Sequence, residues 1–482
     1  MKNNIITYCL ILSILLIIGF LVSCERKTTV RNQNVIAMVG KKTIDWDHLQ
    51  RSFELTPKWG KGLTYKQAYQ VQLDFLIDEK LFAQAALGEE IHRDPKTIAY
   101  LEFIQKKELI KELYRQQVKS EIQISEKEYK AAYLKTKKKV QFNYIFSPSL
   151  ENAESYQKSL GKIPFDEIPL MDPQNDAKGT SPMFGFGDMQ QELEDVVFEL
   201  KKDEISQPIE IENGYMIVRV IGGKIDKFAS ERDYQEMRSK IEKVIFERKS
   251  RKAANSYVKN LMLDKNLTLN PPIFFTLSDQ LSKIIQDKVS ETPLPIFVND
   301  EEIDLTQRSV SEIMDEVLAT HRDGQMTVRD FLNELMNMPA DLRPNVKMPI
   351  QLKNVIGVIV RNDYLAKQAE ELGLGDHPNV IYETTIQKDE ILSKLWFRKY
   401  IERHKGSLTQ DKLAYPVSQK LVKKEELQSI IDLQELRLSA SDSLQKIYPV
   451  TLDTALYTSQ IKHSKDTIRF NPVNIVVREL FN

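Results

Sequence analysis

The chain has 482 residues, 28% of them charged and 41% hydrophobic, with a formal net charge of −1. Length alone divides it into about three domains; the apolar content excludes wholesale disorder, and the charge balance offers no basic footprint for nucleic acid. Two cysteines allow at most one disulfide, so the fold rests mainly on its cores.

Lys2 opens the chain, and residues 5–22 ("IITYCLILSILLIIGFLV") are almost uninterrupted apolar. A basic start, an apolar stretch and small residues before a cut describe an export signal; a stretch of this length also fits a permanent membrane anchor. The ending Leu21-Val22-Ser23-Cys24 resembles a bacterial lipobox, which implies cleavage before Cys24 and a lipid on that cysteine. Residues 1–23 are read as a lipoprotein signal peptide and 24–34 as a tether. Glu25 after the cysteine, where the enterobacterial inner-membrane signal has Asp, points to the outer membrane, facing the periplasm.

A helical unit over 35–135 follows. "KKTIDWDHLQRSF" (41–53) is a turn before an amphipathic helix, "LFAQAALGEEIHRDP" (81–95) ends a helix near Gly and meets Pro, and "IQKKELIKELY" (104–114) has helical spacing. The same order recurs in "DGQMTVRDFLNEL" (323–335), "YLAKQAEELGLGDHP" (364–378) and "IQKDEILSKLW" (386–396). Periodicity explains each segment singly as a buried face, but not three segments recurring in order, which argues for two copies of one unit, the second over 300–404. "VGKKT" (39–43) lacks the first glycine of a phosphate loop, where Val35 stands, so nucleotide use is not expected.

Between the copies, residues 138–224 change character. "KVQFNYIFS" (139–147) reads as a strand, about 150–160 as a helix, 161–188 as a Pro/Gly/Asp-rich loop and "MQQELEDVVFEL" (189–200) as a helix. In "IEIENGYMIVRV" (209–220), two alternating runs flank Asn213-Gly214, the pattern of a hairpin whose central residues both take φ > 0. Alternation puts Met216, Val218 and Val220 on one face. Residues 225–270 read as a long charged helix returning to the helical unit, with Met237, Ile241, Val244 and Ile245 as its apolar positions. "NPPIF" (270–274) and "ETPLP" (291–295) mark 271–299 as a linker. The C-terminal 405–482 has no assigned fold, only a helical "KKEELQSIIDLQELRLSA" (423–440) and a strand-like "NIVVREL" (474–480).

The runs "KVQFNYIF", "GDMQQELEDVVFEL" and "DEISQPIEIENGYMIVRV" resemble a parvulin-type peptidyl-prolyl isomerase domain over 138–224. The flanking units resemble the chaperone segments of SurA/PrsA-type export chaperones. The resemblance implies an α+β multi-domain fold, with mostly helical chaperone units around a small α/β domain built on an antiparallel sheet. It also makes 405–482 readable as a remnant of a second parvulin-like unit.

Tyr144 stands where the family places a histidine in the first strand, and Met216 where another follows the Gly-Tyr of the last strand. No histidine lies between His92 and His321. Asp172 falls on the family's Cys-or-Asp position. In the proline-binding wall Phe184 and Met189 match, Leu193 replaces an aromatic residue and Ser181 an apolar one. Prolyl isomerisation makes no covalent bond; the barrier of about 18–20 kcal/mol is lowered by holding a twisted peptide in a dry, shaped pocket. Without the polar network of the histidines, the resemblance implies a proline-tolerant peptide-binding module with weak or no catalysis. Tyr144 and Met216 also read as core residues filling vacated space, and Met189 and Leu193, at i and i+4, as ordinary helix packing.

The expected function is an ATP-independent, lipid-anchored chaperone of the cell envelope, whose partners are unfolded or nascent exported proteins and, through its N-terminal lipid, the membrane. No cofactor, nucleotide or nucleic acid is expected, and six scattered histidines give no metal site. The alternatives are an active prolyl isomerase and an envelope scaffold with one fixed partner. Tyr144 and Met216 are expected side by side, with Asp172 nearby and Met189, Phe184 and Leu193 walling a shallow groove.

Overall fold

The computed structural model describes residues 34–461 and 467–470, apart from 57–60, 161, 174, 212–213, 227–229, 287–299, 340–341, 345, 347 and 406–423. The apolar stretch 5–22, Cys24, the tether up to residue 33 and the segments 291–295 and 474–480 lie outside the described residues.

The chain opens with β1 (Val35–Val39), β2 (Lys42–Asp45), α1 (Trp46–Leu55), β3 (Lys61–Thr64), α2 (Tyr65–Gly88) and α3 (Pro95–Gln117). Local chemistry sets these boundaries: the Asp45 carboxylate accepts from the His48 N–H, Thr64 and Gln67 form a capping box, and Asp94 caps α3 ahead of Pro95. Next come α4 (Glu126–Thr136), β4 (Lys138–Ser147), α5 (Leu150–Leu160), β5 (Ala177–Thr180), α6 (Gln191–Glu199), β6 (Ile209–Ile211) and β7 (Gly214–Ile225). The 32-residue α7 (Glu231–Met262) leads to β8 (Thr268–Leu269), α8 (Pro271–Gln286), α9 (Asp300–Ser309), β9 (Val317–His321) and β10 (Gly324–Thr327). The last elements are α10 (Val328–Asn337), α11 (Pro349–Glu371), α12 (Pro378–Lys405), α13 (Lys424–Gln445), β11 (Val450–Leu452), α14 (Thr454–Gln460) and β12 (Thr467–Phe470).

The hairpin β1–β2 with α1, α2 and α3 recurs as β9–β10 with α10, α11 and α12. Both hairpins carry a register shift at the same place, before Ala37 and before Val317's partner Thr327. Trp46 N–H donates to Asn34 O, and Val328 N–H to Glu316 O. Glu90 and Gly373, both in the left-handed region, precede matching 3-10 turns at Ile91–Arg93 and Leu374–Asp376.

The copies exchange segments. Helix α12 lies along α2, whereas α3 packs on α11. Strand β8, at the end of α7, completes the second copy's sheet, and β11, after α13, completes the first copy's. The pairs are equivalent: Leu269 opposes Ala319 as Leu452 opposes Ala37, and Asn270 N–H donates to Leu318 O as Asp453 N–H does to Ile36 O, both at 2.9 Å. The first core is therefore built from both copies, and the second from the second copy together with the end of α7, β8 and α8. Leu49, Leu73 and Leu76 meet Leu392, Trp396 and Tyr457 in one; Phe274, Leu277 and Leu281 of α8 meet Leu318, Phe331 and Ile356 in the other. In the α2–α12 seam Lys80, 2% exposed, lies 2.9 Å from Glu79 Oε1 and 3.0 Å from Asp389 Oδ2, and Lys42 takes the other Asp389 oxygen at 2.5 Å.

Several expectations are corrected. Residues 271–286 are helix, not linker, because Pro271 and Pro272 open α8 at positions where no helical N–H is needed. The long helix packs Val258 with Leu109, Ile110 and Leu113 of the first unit and then leads into the second copy's sheet through β8. Within 405–482 the described residues include α13, β11 and α14, counterparts of α7, β8 and α8, and β12, which pairs with β3, not a parvulin remnant. Helix α4, assigned to the first helical unit, buries Tyr129, Ala132 and Tyr133 in the core of the α/β domain.

Candidate functional site

The α/β domain is built on an antiparallel sheet of order β5-β4-β7-β6. Tyr144 of β4 opposes Val218 of β7 and Gly179 of β5, and Phe146 opposes Met216. Alternation divides the two faces. Val140, Phe142, Tyr144, Met216, Val218 and Val220 join one cluster, and Ile145 and Ile217 join the other with Tyr156. Both faces are covered, which explains the apolar β7 run Met216-Ile217-Val218.

Tyr144 and Met216 thus share a face on neighbouring strands, offset by two residues, and both are half-buried against the same cluster. The phenol of Tyr144 leans over β5: a Cβ at Gly179 would stand 2.9 Å from its hydroxyl oxygen. Phe184 is held by two backbone hydrogen bonds with Val140, at 2.8 and 2.9 Å, and its ring lies 6.0 Å from that of Phe142. Phe184 and Met189 are half-buried, Leu193 of α6 is buried, and Met183 is 44% exposed beside them. These side chains form an apolar face open on one side.

Ser181 is buried, with its hydroxyl committed to backbone: Oγ accepts from the Phe142 N–H at 3.0 Å and donates to Pro182 O at 2.9 Å. Asp172 belongs to a loop tied to the opposite face. Its N–H donates to Asp176 Oδ2 at 3.0 Å, which also accepts from the Tyr156 hydroxyl at 2.6 Å, while the Asp172 carboxylate accepts from Asn175 Nδ2 at 2.7 Å. The structure therefore gathers Tyr144, Met216, Phe184, Met189 and Leu193, and anchors the Asp172 loop elsewhere, through Tyr156. Burial opposes the charge on Asp176, but hydrogen bonds from Ser147, Tyr156 and the Asp172 N–H hold its carboxyl below the usual carboxylate range.

The hairpin after α6 differs from the expected turn. Ile211 pairs with Gly214, so the connecting residues are 212–213, and Gly214 is already strand. Its glycine answers to space: a Cβ there would stand 2.4 Å from Ser147 O and 2.8 Å from Pro148 Cα. The loop 161–188 contains an unforeseen strand, β5. Sequence reasoning also missed Glu194. It falls three and four residues before Val197 and Phe198 on the buried stripe of α6, and a charge there demands a partner; Arg248 of α7 supplies it.

Among the described residues no group of three or more His, Cys, Asp or Glu could hold a metal ion, and no helix is long and apolar enough to cross a membrane. No imidazole lies within 138–224, so the exposed edge of this face is built from apolar side chains and the Tyr144 phenol.

Residues 124–233 match the PPIC-type PPIASE domain family. The foldase protein PrsA of Geobacillus sp. (strain WCH70) is 27% identical over 218 residues, covering 43% of this chain and 70% of the relative. Foldase protein PrsA 1 of Bacillus cereus is 28% identical over 145 residues, covering 29% of this chain and 47% of that protein; the chain spans about half of it. Among solved structures, peptidylprolyl isomerase PrsA from Bacillus anthracis is similar at 21% identity and a TM-score of 0.22, over 32% of this chain and 69% of its own. A SurA-like chaperone of Campylobacter jejuni is similar at 18% identity and a TM-score of 0.22, over 49% and 100%. The chain carries a parvulin-type domain and is similar in sequence to PrsA foldases.

Proposed function

We propose that this chain is an ATP-independent chaperone of exported proteins whose parvulin-type domain holds proline-containing peptide with weak or no turnover. The carrying observation is one face of the sheet: Tyr144, Phe184, Met189 and Met216 lie half-buried over a common core, in a domain without histidine. Thioethers adapt to varied partners, which suits unfolded clients, and the foldase names of the relatives support clients of that kind. The Leu-Val-Ser-Cys motif supports lipid attachment at Cys24 and a place in the cell envelope, at the outer membrane facing the periplasm.

The test pairs two assays on the soluble chain beginning after Cys24: isomerisation of a proline peptide, and suppression of aggregation of an unfolded client. Aggregation is expected to fall while isomerisation stays at or near background. Turnover equal to that of a histidine-bearing parvulin measured alongside refutes the non-catalytic reading. The match of 124–233 to an isomerase family favours that second reading, an active prolyl isomerase, and the same outcome would establish it.

A further inference from the structure

Helix α7 runs from the α/β domain to β8 in the second copy's sheet, and on its way it presses on the turn between two groove residues. That turn, Gly185–Asp188, separates Phe184 from Met189. Asp188 Oδ2 accepts from the Gly185 N–H at 2.8 Å and closes it. Gly187 has φ +83, and a Cβ there would lie 2.6 Å from Val244 Cγ2 of α7. Its N–H donates to Glu194 Oε2 at 2.7 Å. Glu194, fully buried, is forked by Arg248 of α7, with Nη1 on Oε1 at 2.8 Å and Nη2 on Oε2 at 2.7 Å. The same guanidinium lies 5.0 Å from the centroid of the Phe186 ring.

We propose that Arg248 is a positioning residue for the peptide groove, fixing through Glu194 and Gly187 the turn that sets Phe184 against Met189. This rests on the peptide-binding reading of that face. A buried, bidentate arginine–carboxylate pair has one geometry and tolerates little displacement. Groove shape is therefore coupled to the placement of α7, and through α7 to the helical body that would engage the client.

The test uses the full soluble chain with methyl-labelled methionines, a fluorescent proline-containing peptide, and three alterations. Arg248→Lys keeps the charge and loses the fork, Glu194→Gln with Arg248→Met removes both charges together, and Val244→Ala loosens the contact at Gly187. Peptide affinity should fall about 3- to 10-fold across the set. The Met189 methyl signal should move while that of Met262, in the helical body, stays. Should the double alteration fail to fold, the two single ones carry the test. Affinity within twofold of the unaltered chain, with the Met189 signal unmoved, overturns the proposal. If the unaltered chain binds no peptide at Met189, the functional reading fails instead, and the Met189 signal still reports whether Arg248 sets the turn.

Discussion

Lys80→Met is the sharpest probe of the exchanged architecture. Lys80 is 2% exposed and sits between Glu79 of its own helix and Asp389 of α12, themselves 5% and 3% exposed. Methionine keeps most of the volume and removes the cation. Asp389 retains Lys42, but Glu79 loses its ion-pair partner in a dry seam, and breaking a buried pair from one side costs about 3–5 kcal/mol. At a slope of about 2–3 kcal/mol per M, the urea midpoint should fall about 1–2.5 M. Tryptophan fluorescence reads the event, because Trp46 and Trp396 lie in this core, with Trp396 5.1 Å from Phe82 of α2. Burial raises the pKa of Glu79, and Lys80 opposes the rise. Without Lys80 the carboxyl takes a proton at higher pH, so the deficit should be largest near neutrality and shrink as pH falls. An unchanged midpoint at neutral pH would mean that Glu79 and Lys80 are not paired in a dry seam beneath α12.

Three further outcomes are expected. Tyr144→His with Met216→His restores the family pattern and should raise prolyl isomerisation above background without changing aggregation suppression; activity left at background would shift suspicion to Leu193 and Ser181. Burial pushes the Asp78 carboxyl up to about 6 against the pull of Arg437, so its contribution to stability is fully present below the ordinary carboxylate pKa and is lost as pH rises through about 6. That loss amounts to about 3 kcal/mol at most, and Asp78→Asn should flatten this part of the urea-midpoint profile; an unaltered profile contradicts it. Cys24→Ala should block lipid attachment and processing, and a native protein whose mature N-terminus lies upstream of Cys24 would rule out the lipoprotein reading.

Much of this molecule was legible because its information is local. Helical spacing, caps and Gly/Pro punctuation placed α1, α2, α3 and their repeats, and period-2 alternation placed β6 and β7, since side-chain direction follows from the backbone at 3.6 or 2 residues. Alternation likewise set Met216 on one face with Val218 and Val220, whereas its placement beside Tyr144 followed from the resemblance to the parvulin family. Other features had weak or misleading local signals. Pro271-Pro272 looks like a break and is a helix start. The likeness of Thr268-Leu269-Asn270 to Thr451-Leu452-Asp453 is too short to notice until the strands are seen pairing alike. Gly214 suggests a left-handed turn, but the need for glycine comes from Ser147, far away in sequence.

By itself the sequence determined most of the long helices, the β6–β7 hairpin, the duplication and the apolar character of the parvulin-type face. Tertiary structure alone decided which copy each segment completes, where the Asp172 loop is anchored and which cation answers Glu194. An amphipathic face states that it will be buried and leaves its partner open, because burial energy is non-directional. The choice of partner is made by long-range strand register and by buried charges that tolerate one arrangement, as between Lys80 and Asp389 or Glu194 and Arg248.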